Sequence, residues 1–61
     1  MAEYIYLTTG DVIEADVVAK TYRNPNLIQA VGARINQGDE RYDLYIPITV
    51  IKFISNKKME K

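Results

Sequence analysis

Near the end of a 61-residue chain, nine residues run Ile46-Pro47-Ile48-Thr49-Val50-Ile51-Lys52-Phe53-Ile54. Proline has no backbone N–H and fixes its own φ, so inside an apolar, β-branched run it marks a strand end, a bulge or an edge. Apolar residues resume at once with Val50, Ile51, Phe53 and Ile54. The stretch therefore reads as two strands meeting at a tight bend. A short chain ending this way is expected to be a small barrel that closes on itself or on a neighbour.

The rest of the chain agrees with an all-β reading. Ile, Val and Thr recur throughout, with five Tyr and one Phe among them. No segment keeps a 3.6-residue apolar period over ten or more positions. Five strands are expected, at 3–8, 12–22, 27–35, 41–46 and 50–54. In the first, Tyr4 and Tyr6 face one way and Ile5 and Leu7 the other. In the second, Ile13, Ala15, Val17 and Ala19 are expected to face the core. Its length requires a bend that lets it serve two sheets. Thr9-Gly10-Asp11 and Arg23-Asn24-Pro25-Asn26 are turns, and Asn36-Gln37-Gly38-Asp39-Glu40 is a polar hairpin loop. Gly32 inside the third strand predicts a bend, a bulge or a close backbone approach. The domain is expected to span residues 1–54, with 55–61 a frayed polar tail. Short strands, tight turns and a very short last connection point to a five-stranded, strongly bent SH3-like barrel.

Size and charge narrow the function classes. A domain this small buries only about 60% of its unfolded surface, and disulfides, metals or oligomerisation are the usual supplements. The chain has no Cys and no His, which removes disulfides and ordinary zinc sites and leaves oligomerisation. Absence of Cys also fits a cytoplasmic protein. Neither a signal peptide nor an apolar run of about 18 residues is present, so no membrane association is expected. Net charge is zero, but the charges are unevenly spread. Residues 1–54 carry Lys20, Arg23, Arg34, Arg41 and Lys52 against seven acids, while 55–61 carry Lys57, Lys58 and Lys61 against Glu60. Any nucleic-acid contact must then come from a local patch or the basic tail.

The spacing of the chain resembles the Sm-like family, which includes the bacterial Hfq proteins. Leu7-Thr8-Thr9-Gly10-Asp11-Val12-Ile13-Glu14-Ala15-Asp16-Val17 follows the first Sm motif, with Ala15 where the family prefers Gly. Pro25-Asn26-Leu27-Ile28 resembles the family's Met-Asn-Leu run. Ile46–Ile54 keeps the apolar spacing of the second motif, with Pro47-Ile48 where the family carries Arg-Gly. The family's N-terminal helix would precede the first strand, where only about three residues are available, so little or no helix is expected here. The resemblance implies a closed ring of six or seven copies. In such a ring the fourth strand of one copy pairs with the fifth of the next. Tyr42, Leu44, Tyr45, Ile46, Val50, Ile51 and Phe53 then become expected interface residues. It also implies single-stranded RNA, U- or A-rich, held by stacking and hydrogen bonds. Asn26 is the matched candidate, with Tyr22, Arg23, Asn24 and Lys52 beside it.

Two other readings are open to the same residues. Asp11, Glu14 and Asp16 lie close together in sequence, but acid–base catalysis needs positioned groups of tuned pKa in a cleft. No His, Cys, nucleophile motif or phosphate loop accompanies them. A solvated strand face is the expectation, and with it a chain that is not an enzyme and has no cofactor or metal. The alternative function is an SH3-like barrel acting as a protein-interaction or assembly module.

Overall fold

The computed structural model describes residues 2–57. Six strands appear: β1 Glu3–Leu7, β2 Val12–Ala15, β3 Val17–Lys20, β4 Leu27–Ile35, β5 Tyr42–Pro47 and β6 Ile51–Ser55. The helical content is one 3₁₀ turn, Ile48–Val50, so among the described residues no α-helix precedes β1. Among the described residues no helix is long and apolar enough to cross a membrane. The expected strongly bent barrel is present as an all-β half-barrel formed by one strongly curled antiparallel sheet. Its strand order is β3-β4-β2-β1-β6, with β5 on the other edge of β4. Ser55 closes β6 opposite Tyr4, so the last strand extends into the segment expected to be tail. Lys58 and Lys61 lie outside the described residues.

The expected second strand is divided, and the division corrects its facing. Ile13 and Ala15 are buried as expected, but Val17 is 53% exposed and Val18 packs against the core instead. Asp16 is the interruption. Its N–H donates to the Val31 carbonyl at 3.0 Å, and the chain resumes in β3 with its faces exchanged. A one-residue slip in a period of two inverts every later side chain. The expected strand also ends early, at Lys20, which leaves Thr21 and Tyr22 in the turn.

Gly32 makes that bend possible. It lies where the β4–β5 register shifts between Ala30 and Ala33, and its φ is +63°. A Cβ there would lie 2.4 Å from Asp16 Oδ2 and 3.1 Å from its Cγ. Arg41 clasps the same point, donating to the Gly32 carbonyl at 2.9 Å and to Asp16 Oδ1 at 3.4 Å. Gly32→Ala is expected to destabilise the fold by about 1–2 kcal/mol, chiefly through the left-handed backbone, since the exposed Asp16 carboxylate can rotate away. Urea melts of the single and Gly32→Ala/Asp16→Ala double variants check this. A single variant as stable as the parent contradicts the bulge geometry.

The core is small: Ile5, Ile13, Ala15, Ala30, Ala33 and Ile46 are buried, and Leu7, Val18, Leu44, Val50 and Ile51 pack around them. The alternation expected for the first strand holds, with Ile5 and Leu7 turned inward, and in β5 Leu44 and Ile46 are turned inward in the same period of two. Ile46 is thus a core side chain, and only its backbone lies on the sheet edge. On the outer face Tyr6 stacks on Phe53, ring centroids 4.6 Å apart. Cross-strand Glu14 and Arg34 form an ion pair at 2.9 Å. Among the described residues β3 and β5 each pair with β4 alone and β6 with β1 alone. Each therefore leaves one edge open, and β5 and β6 bear Tyr42, Tyr45, Phe53 and Ile54 exposed.

The β1–β2 turn and the β4–β5 loop are tied together. Asn36 and Gln37 both have positive φ, a conformation that Asn tolerates better than most residues. Asn36 Oδ1 accepts the Val12 N–H at 2.8 Å, and its amide donates to Asp11 Oδ1 at 2.9 Å. The Asn36 amide, then the Thr9 hydroxyl, hold the Asp11 carboxyl below its ordinary value of 3.8. A carboxyl depressed in the folded state stabilises the fold above its unfolded value, and this contribution is lost as pH falls through the lower folded value. Asp11→Asn is therefore expected to flatten the loss of stability below pH 3.8. Denaturant midpoints across that range, parent against variant, check it; parallel curves contradict it.

Candidate nucleic-acid interface

The β3–β4 turn is held from within by its own side chains. The Thr21 hydroxyl donates to the Asn24 carbonyl. Asn24 Oδ1 accepts the Asn26 N–H at 3.0 Å, and the Asn24 carbonyl accepts the Leu27 N–H at 3.0 Å. This is an Asx-type turn, in which a short polar side chain substitutes for a backbone acceptor. Tyr22 and Arg23 take no part in it, and the Tyr22 side chain is fully exposed.

Beside the turn lies an open cleft of about 520 Å³. Its floor comes from the outer face of the sheet, where Gln29 of β4 stands between Ala19 of β3 and Tyr45 of β5 in one cross-strand row. Its rim is the turn, with Tyr22 and Arg23, and the end of β3, with Lys20. Tyr45 is 61% exposed, its ring free to meet a ligand. The small Ala19 side chain leaves space beside Gln29.

The electrostatics of the cleft are one-sided. Lys20 and Arg23 line it, and no carboxylate does. Outside the cleft, Arg34 is paired with Glu14 and Arg41 with Asp16. Among the described residues, Lys20, Arg23, Lys52 and Lys57 form no ion pair, and two of these four are in the cleft. A smaller hollow of about 240 Å³ beside the β4–β5 loop has the opposite character, lined by Asp39, Glu40 and Tyr42. There the Tyr42 hydroxyl donates to Glu40, which raises its pKa.

Of the candidates read from sequence, Tyr22, Arg23 and Asn24 come together in the cleft. Asn26 does not line it; its carbonyl accepts the Ile48 N–H at 2.9 Å and anchors the 3₁₀ turn. Lys52 is exposed on β6, at the far end of the strand order from β3. Asp11, Glu14 and Asp16 are drawn into three separate contacts, with Asn36, Arg34 and Arg41. Among the described residues no group of three acidic, His or Cys side chains is placed to hold a metal ion. Sequence reasoning missed Lys20 and Gln29 and gave Tyr45 to an interface. The signal for Gln29 was its polar side chain at an alternating position between Ile28 and Ala30. Its partnership with Tyr45 depends on strand register. No family model, curated protein or solved structure matches the chain.

Proposed function

We propose that the chain is a non-catalytic, self-associating small barrel that binds single-stranded RNA in the cleft between the β3–β4 turn and Tyr45. The observation that carries this is the cleft's composition: two exposed tyrosines and two unpaired cations, with no carboxylate. Aromatic faces for bases and cations for the backbone are what sequence-tolerant single-strand binding uses, with stacking worth about 1–3 kcal/mol per base. The volume suits one or two nucleotides.

The open edges of β5 and β6 support self-association. Unpaired edge strands carrying exposed aromatic and aliphatic side chains favour pairing with another strand, and a core this small gains from it. Pairing β5 of one copy with β6 of the next is heterologous and closes into a ring if the rotation allows. The Sm-like spacing favours six or seven copies and U- or A-rich RNA. The same edges would serve a protein partner by strand addition, but a cleft of unpaired cations favours a phosphate-bearing ligand.

Fluorescence anisotropy with labelled oligouridine and oligoadenosine, run across a salt series, tests the reading alongside solution mass by light scattering. Saturable binding is expected, weakening with salt at a log–log slope of about −0.7 per phosphate neutralised, by a particle larger than a monomer. Failure of either oligonucleotide to bind at low salt overturns it.

A further inference from the structure

The cleft holds one side chain whose free groups suit a base edge. Lys20 and Arg23 lie on its rim, where solvated cations meet phosphates without regard to sequence. Thr21 and the Asn24 Oδ1 are committed to the turn's own hydrogen bonds. Gln29 differs on three counts. It stands on a strand in the middle of the sheet and not on a loop. It is half-buried at the cleft floor. Its amide has no hydrogen-bond partner among the described residues.

We propose that Gln29 determines recognition in this cleft by reading the edge of a base stacked on Tyr45, so that the site is directed to bases and not to the phosphate backbone alone. The inference rests on the single-stranded RNA reading and adds a hydrogen-bonding reader to its stacking platforms. Gln29 and Tyr45 are directly opposed across β4 and β5, and opposed Cβ atoms lie about 4.5–5.5 Å apart. A base stacked on the Tyr45 ring therefore extends its edge over the amide. A glutamine presents a donor and an acceptor side by side, matching the adjacent donor and acceptor that a splayed base offers on its edges. Phosphate oxygens only accept and offer no such matched pair. Ala19, on the other side of Gln29, leaves room for the base.

The test compares a short RNA oligonucleotide with an abasic strand of the same length and charge. Parent protein is expected to bind the base-bearing strand more tightly. Gln29→Ala and the near-isosteric Gln29→Leu are expected to weaken that binding about tenfold, leave the abasic strand unaffected and keep the salt slope. Arg23→Ala is expected to weaken both strands and to flatten the slope by about 0.7. Circular dichroism melts verify that each variant is folded. If the Gln29 variants bind the base-bearing strand within twofold of the parent while the parent still prefers it to the abasic strand, Gln29 is not the reader and RNA binding itself stands. If the parent does not distinguish the two strands, base stacking in the cleft falls together with the inference. If the parent binds neither strand, both the inference and the reading beneath it fall.

Discussion

Ile5→Ala is expected to leave little of this domain folded. Ile5 is the largest fully buried side chain, paired across the sheet with Ile13 on one side and Ile54 on the other. Truncating a buried Ile to Ala costs about 2–5 kcal/mol, more where neighbours cannot collapse into the space. Three of the other five core residues are Ala, too short to reach across the cavity. A domain of this size has roughly 3–9 kcal/mol in total, at about 0.05–0.15 kcal/mol per residue, so one substitution removes about half. Ile5→Val, which removes one methyl, should cost only about 0.5–1.5 kcal/mol. Urea unfolding followed by far-ultraviolet circular dichroism checks both, at several protein concentrations because self-association adds to apparent stability. An Ile5→Ala midpoint equal to the parent's would show that the sheet does not close over Ile5.

The largest effect on binding is expected at Tyr45. Loss of one stacking platform costs about 1–3 kcal/mol, which is about 5- to 150-fold in affinity. Tyr45→Ala should show this loss and Tyr45→Phe very little of it, because the ring and not the hydroxyl makes the platform. Tyr22→Ala should cost less, since a fully exposed side chain must be ordered before it can contribute. Tyr45 also lies on the open β5 edge, so light scattering on each variant separates a lost platform from a lost assembly. Parent-like binding by Tyr45→Ala, with assembly intact, would remove the cleft as the site where bases stack.

These two residues differ in how much of their role is legible from the chain. Local alternation puts Ile5 on the face of Leu7 and opposite Tyr4 and Tyr6, in a period of two, and the structure shows that this face is the buried one. Tyr45 is read from the sequence only as an interface residue of its strand, and the cleft it lines is not apparent there. What surrounds Tyr45 is set by the β4–β5 register, which brings Gln29 beside it from 16 positions earlier. Asn26 shows the converse. Its motif spacing marked it as a ligand residue, while the turn uses its backbone as a link to Ile48.

Local physics in the sequence determined the all-β class, the turns at Gly10 and Pro25, the break at Pro47 and the place of the bulge at Gly32. Each follows from φ restriction, a missing donor or a two-residue period, none of which needs a distant partner. Tertiary structure alone decided that Val18 and not Val17 faces the core, because the inversion at Asp16 exists only once Gly32 lets the two backbones approach. It alone decided that Glu14 and Asp16 neutralise Arg34 and Arg41. Lys20 and Arg23 remain without an ion pair beside Tyr22 and Tyr45. Strand register, a sum of many weak long-range contacts, chose which charges cancel and which remain.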